Sequence, residues 1–180
     1  MKNILIIATD GFEQSELMKP KSILEDAGEK TTVASLEEGT IKGWDDGNWG
    51  ETVAVDMTVE DVNADDYDAL LLPGGQINPD ILRMNKTVIE TIREFNRQSK
   101  PIAAICHAPW LLIEADIVTD KTVTSWPSLR TDLSNAGATV VDREVAVDGN
   151  IITSRNPSDI PAFTKALQDA MSMKTKLEAA

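Results

Sequence analysis

Three short apolar runs, each broken off at a turn, limit how this chain can fold. "NILIIA" (residues 3–8) stops at "TDG", "YDALLLPGG" (67–75) runs into a Pro-Gly-Gly turn, and "PIAAIC" (101–106) stops at "HAPW". Continuous apolar runs of this length, rich in Ile, Leu and Ala, are the pattern of strands buried on both faces. "KTTVAS" (30–35) reads as a further strand. Helical patterns lie between the runs. "EQSELMKPKSILEDAG" carries Leu17, Ile23 and Leu24, with Gly28 as a stop and Pro20 inside, so this helix is expected to start late or kink. "NKTVIETIREFNRQS" places Val88, Ile89, Ile92 and Phe95 on one face. "HAPWLLIEAD" and "SLRTDLSNAG" read as short helices, and "TVVD", "EVAVDG" and "NIITS" as short strands, with a hairpin around Asp148-Gly149. "SDIPAFTKALQDAMSMK" reads as a closing helix, with Ser158 as N-cap and Pro161 in the first turn. Strands alternating with helices in this way predict an α/β fold, a doubly wound and mostly parallel sheet sandwiched by helices.

The chain has 180 residues, 42% of them hydrophobic, which suits one core and a single domain over residues 1–180, with the last few residues frayed. Thirty acidic against seventeen basic residues leave a net charge of −13. Such a surface repels phosphate backbones and anionic lipid, so no nucleic-acid or membrane partner is expected. The acidic run "DVNADDYD" reads as a solvated helix face or loop. The single cysteine cannot form an intramolecular disulfide, and the opening apolar run is too short for a signal or membrane segment, so a cytoplasmic location is expected. With one cysteine and one histidine, neither a metal site nor a cofactor is expected.

Those two residues are adjacent, Cys106 and His107, where a buried strand passes into a helix. This is the nucleophile-elbow position, whose sharp turn needs small residues two before and two after the nucleophile, and Ala104 and Ala108 fill those places. The positive end of the following helix would lower the thiol pKa. His107 could then serve as general base and acid, although adjacency on a helix, with its 100° step, does not bring two side chains into contact. The competing reading is that Cys106 is one more small buried hydrophobe and His107 a capping residue. Gly74 and Gly75 of the Pro-Gly-Gly turn can bring backbone N–H groups to an oxyanion, or can simply form a tight turn. Asp80, in "NPDILR", could be no more than a helix N-terminal charge. In the first turn, Glu13 or Glu16 could share a proton with the thiol; a carboxyl buried there should have a raised pKa.

Taken together, "GFEQSELMKP", "DALLLPGG", "NPDILR", "KPIAAICHAPWLL", "TSWPSLRTDLSNAGA" and "VDGNIITSRNPSD" resemble the ThiJ/PfpI superfamily, in its PfpI-like branch, over nearly the whole chain. The resemblance implies a flavodoxin-like, class I glutamine amidotransferase-like sandwich. It implies Cys106 as nucleophile, His107 beside it, and Glu16 rather than Glu13 as the carboxyl on the sulfur. It implies oxyanion donors at the N–H groups of Gly75 and His107, and a homo-oligomer in which Asp80 of an adjacent subunit orients His107. This chain departs from the family pattern in two places. Three residues rather than two separate Gly75 from Pro79-Asp80, which bears on whether Asp80 reaches His107. "IKGWDDGNWGETV" (41–53) sets Trp44 and Trp49 on a polar loop, as a pocket wall, an interface patch or simple packing.

The activities implied are those of a stress-related cysteine hydrolase acting on small-molecule carbonyl or glycated adducts, of deglycase or glyoxalase type, or on peptides and proteins. All begin with thiolate attack on a carbonyl. The alternative is a non-catalytic redox-sensing or chaperone-like stress protein whose Cys106 is reversibly oxidised. A nucleotide or flavin binder is disfavoured, because "TDGFEQ" lacks a phosphate-cradling loop.

Overall fold

The computed structural model describes residues 1–178, with side chains to residue 173. Its strands are β1 (Asn3–Ile7), β2 (Phe12–Glu13), β3 (Lys30–Ser35), β4 (Gly39–Asp45), β5 (Asn48–Val55), β6 (Met57–Thr58), β7 (Ala69–Leu72), β8 (Ile102–Ile105), β9 (Thr122–Val123), β10 (Thr139–Val140), β11 (Ala146–Asp148) and β12 (Ile151–Ser154). Its α-helices are α1 (Gln14–Asp26), α2 (Ile77–Leu82), α3 (Lys86–Arg97), α4 (Pro109–Glu114), α5 (Arg130–Asn135) and α6 (Ile160–Glu178). Seven strands form the central sheet in the order β11-β12-β8-β7-β1-β3-β6, parallel throughout except for the β11–β12 hairpin. The fold is therefore the mostly parallel, flavodoxin-like α/β sandwich expected.

The apolar runs are explained by what covers them. Leu5, Ile7, Leu70, Leu72, Ile102 and Ala104 face a core shared with α3, α4 and α5. Ile4, Ile6, Leu71, Ala103 and Ile105 face the other way, against Leu17 and Leu24 of α1 and Phe163 and Leu167 of α6. Each strand is sealed on both sides, so alternation is lost and the run is apolar throughout. In α3 the predicted face, Val88, Ile89, Ile92 and Phe95, is buried, and the Asn85 side chain caps the helix by accepting the Val88 N–H at 3.0 Å.

Three local expectations need correction. The segment read as a polar loop is an antiparallel hairpin of β4 and β5, turned at Asp46 (φ 44°) and Gly47 (φ 82°). An Asp-Gly pair with both φ values positive suits a tight hairpin turn. Helix α1 starts at Gln14, six residues before the buried Pro20, so of the two expectations the late start is not what is found; Glu16, Leu17, Pro20 and Leu24 share its buried face, and that packing outweighs the lost N–H. At the start of the closing segment the capping oxygen is that of Asn156, which accepts the Ser158 N–H at 3.0 Å; the Ser158 hydroxyl itself donates to Asn156. The run "DVNADDYD" forms two short 3-10 turns, Val59–Asp61 ending in it and Ala64–Asp66 within it.

The sheet order places the site. From β1 the chain moves outward to β3 and β6, then crosses back to β7 on the other side of β1. The crevice at such a reversal, beyond the carboxyl ends of the strands, is where doubly wound sheets hold ligands. The turns after β1, β7 and β8 meet there, carrying Gly11 to Glu16, Pro73 to Gly75, and Cys106 with His107.

Candidate active site

Cys106 follows the last residue of β8 and has φ 64°, left-handed for a residue with a side chain. Holding such a residue there costs about 1–3 kcal/mol unless the surroundings fix it. Backbone bonds do so from both sides: the Cys106 N–H donates to the Ser154 carbonyl (3.0 Å), and the Trp126 N–H donates to the Cys106 carbonyl (2.9 Å). Ala104 and Ala108 are fully buried, and the thiol is 6% exposed.

Gly74 lies between the thiol and Glu16. A Cβ at Gly74 would come within 2.4 Å of Glu16 Oε2, 2.6 Å of Cys106 Cβ and 2.7 Å of the Ile105 carbonyl oxygen. The absent side chain is what lets the Gly74 N–H reach Glu16 Oε2, at 3.0 Å. Gly75, at φ 83°, is as confined: a Cβ there would meet the Gly11 carbonyl oxygen and the Glu13 nitrogen. The backbone N–H groups of Gly75 and His107 act on the Cys106 sulfur to favour its anion.

Glu16 is fully buried, and its Oε1 has no hydrogen-bond partner. Burial, reinforced by the nearby Glu13 charge, raises its pKa to about 8 against the pull of the Gly74 N–H and the Cys106 thiol, so the carboxyl is protonated at neutral pH. Glu13 is half-buried, accepts the Ser15 hydroxyl at 2.9 Å and sits outside this contact. The thiol differs from expectation. Burial first and the Glu16 charge second push its pKa up, and the N–H groups of Gly75 and His107 oppose them. Desolvation outweighs a helix dipole here because α4 is only six residues long and begins three residues beyond the cysteine. Proton sharing with a neutral Glu16 removes the charge repulsion between the pair.

His107 does contact the sulfur: Nδ1 lies 3.1 Å from Cys106 Sγ, and Nε2 lies 3.5 Å from Ser128 Oγ. Trp126 stacks on the imidazole at 5.8 Å between centroids, and Trp110 meets it edge-on at 5.3 Å. Burial lowers the His107 pKa, so the ring is neutral at pH 7.

Cys106, His107, Glu16, Gly74 and Gly75 are thus brought together. Asp80 is not: it is exposed on α2, and the ring nitrogens of His107 face Cys106 and Ser128 within the chain. The tryptophans of the hairpin pair with each other, Trp44 against Trp49 across the strands in a T-shape at 5.3 Å, with Trp49 51% exposed. Ser128 and Trp126 cannot be read from the sequence as site residues, because only the fold brings "SWPS" back over the Cys-His turn; Trp110 lies three residues after His107 in "HAPW", and that spacing is its only signal. Among the described residues no three His, Cys, Asp or Glu side chains gather where they could hold a metal ion, and no helix is long and apolar enough to cross a membrane.

The model of the DJ-1/PfpI family matches residues 2–170. A protein of Pyrococcus furiosus named deglycase PfpI is 40% identical over 162 residues, covering 90% of this chain and 95% of that one. A Bacillus subtilis protein named putative cysteine protease YraA is 42% identical over 164 residues, covering 91% and 95%. Among solved structures, Drosophila melanogaster DJ-1beta superposes with a TM-score of 0.86 at 31% identity, covering 94% of this chain and 90% of that one.

Proposed function

The chain belongs to the DJ-1/PfpI family, and from that premise we propose that it is a cysteine-dependent hydrolase acting on carbonyl or glycated adducts of amines and thiols, with peptides as a second substrate class. The names deglycase and cysteine protease borne by its relatives support the hydrolase reading. One observation carries it: a neutral imidazole nitrogen stands 3.1 Å from a thiol on a left-handed strand-to-helix turn, the nucleophile-elbow placement.

In the resting site the thiol keeps its proton, because burial opposes the anion. Attack therefore needs a base, and His107 Nδ1 takes the proton as sulfur bonds to the substrate carbon. At a carbonyl this leaves a negative oxygen, held by the N–H groups of Gly75 and His107, while neutral Glu16 faces the sulfur without repelling it. On a peptide, collapse of the adduct breaks the C–N bond, the amine departs with the His107 proton, and water hydrolyses the thioester. On a carbinolamine adduct, sulfur displaces the amine at carbon, the amine takes the same proton, and water frees the carbonyl fragment. Asp80 of a second copy is the group that would orient His107, so the working form is a homo-oligomer, and a reducing cytoplasm would keep Cys106 available.

The test is turnover of methylglyoxal adducts of N-acetyllysine and N-acetylcysteine, and of a fluorogenic peptide, by wild type, Cys106→Ser and His107→Ala. Turnover by wild type that falls at least 100-fold in both variants is expected. If wild type turns over none of these while Cys106 oxidises reversibly with peroxide, the redox-sensing alternative replaces the hydrolase.

A further inference from the structure

Asn78 is an uncharged side chain with no surface exposure, lying among the residues that separate Gly75 from Pro79. Its Oδ1 accepts the Thr9 N–H at 2.8 Å, and its Nδ2 donates to the carbonyls of Pro73 (2.9 Å) and Gly74 (3.1 Å). One amide thereby ties the turn after β1 to the turn after β7, using both of its N–H donors and its oxygen. Its neighbours Gln76 and Ile77 are exposed, so the three residues between Gly75 and Pro79 are accommodated by turning Asn78 inward while Asp80 stays at the surface.

The tied turn is the one that serves the sulfur. Gly74 gives its N–H to Glu16, its carbonyl accepts from Glu13 N–H (3.2 Å) as well as from Asn78, and the N–H of the next residue, Gly75, favours the Cys106 anion. We propose that Asn78 is a positioning residue of the active site, the clamp that holds the Gly74 and Gly75 N–H groups on Glu16 and on the Cys106 sulfur. A buried amide bonded on all sides has one orientation, and a peptide fixed at its carbonyl has its N–H direction fixed as well. The alternative, in which Asn78 only fills space under the loop, leaves thiol acidity independent of it. The proposal rests on Cys106 being the reactive thiol. Its test reads acidity rather than turnover, so failure of the substrate assignment leaves it intact.

Asn78→Asp keeps the shape and the acceptor for Thr9 but sets an oxygen against the carbonyls of Pro73 and Gly74; Asn78→Ser removes both donors and leaves room for water. The pH dependence of iodoacetamide alkylation at Cys106 is compared in folded samples of each, with unfolding temperatures measured in parallel. Asn78→Ser leaves the titrating groups around the sulfur, Glu16, His107 and the nearby Glu13, unchanged, whereas Asn78→Asp adds a carboxyl of its own, so the shift is read from Asn78→Ser and Asn78→Asp serves as its check. Expected is an upward shift of the alkylation midpoint by about one pH unit, hence a rate about tenfold lower at pH 7.5. A variant that folds, whatever its unfolding temperature, and keeps the wild-type profile overturns the proposal. If neither folds, hydrogen exchange in wild type decides. The Asn78 side-chain amide and the Gly74 and Gly75 N–H groups must open together, and Gly75 exchanging far faster than the Asn78 amide would overturn the clamp.

Discussion

The imidazole of His107 lies between a thiol and an alcohol, with Nδ1 3.1 Å from Cys106 Sγ and Nε2 3.5 Å from Ser128 Oγ. Only the neutral ring can take the thiol proton, and burial lowers its pKa below the ordinary 6.5. The acid limb of the pH–rate profile should therefore fall below pH 6.5. Ser128→Ala should keep that limb and lose less than about tenfold in kcat, since it removes only a long contact. A profile over pH 5–9 checks both. An acid limb above 6.5 would show that the ring is charged where the mechanism needs it neutral.

Glu16 links the site to stability. Its folded-state pKa is raised from 4.5 to about 8. Between those values the folded chain holds a proton that the unfolded chain has released, so stability falls as pH rises. The contribution is whole below 4.5, declines by up to about 1.4 kcal/mol per pH unit and is lost above 8. Glu16→Gln cannot titrate. The difference between wild-type and variant urea midpoints should drift against wild type as pH rises from 5 to 8, and a flat difference would mean that Glu16 ionises normally.

What was legible in advance follows from which forces act locally. Strands β1, β7 and β8 announce themselves because burial on two faces leaves no room for a polar residue. Cys106, Glu16 and the two glycines could be read from their places at strand ends and from the family resemblance. The hairpin of β4 and β5 is hard to read because most of its side chains are exposed or half-buried and the alternation of Val53 and Val55 is short. Its Asp46-Gly47 signal stood in plain sight. Thiol acidity is not legible locally, because the helix dipole can be inferred from neighbours in sequence, whereas burial and the Glu16 charge, which push the pKa up, come only with the fold. Ser128 and Trp126 meet His107 from about twenty residues further along the chain, a return that the bond from Trp126 N–H to the Cys106 carbonyl helps to hold.

Gly74 and Gly28 make a matched pair of substitutions. At Gly28 (φ 84°) a Cβ meets nothing within 4 Å, so Gly28→Ala costs only left-handed strain, about 1–2 kcal/mol. At Gly74 a Cβ is blocked by the Ile105 backbone as well as by Glu16 and Cys106. Gly74→Ala should cost about 1–3 kcal/mol by overpacking, and unlike Gly28→Ala it should also abolish turnover by displacing the two catalytic side chains. Denaturant unfolding together with adduct turnover separates the two effects. An active Gly74→Ala protein would mean that the three groups are less tightly apposed than described.

Asp80 offers the sharpest test of whether the site is completed by another copy. It is exposed on α2 and is not among the hydrogen-bond partners of its own His107, whose Nε2 has only the long 3.5 Å contact with Ser128 to displace, so a direct orienting role requires a second chain. Asp80→Asn and Cys106→Ser should each be nearly inactive alone. Unfolded together and refolded as a mixture, they should recover about a quarter of wild-type activity. Half of the dimers formed at random are mixed, and in each of these one of the two sites combines an intact Cys106 with an intact Asp80. Full activity of Asp80→Asn alone would remove the residue from the mechanism. Loss without recovery on mixing would place its action within its own chain, through α2 and the turn that Asn78 holds.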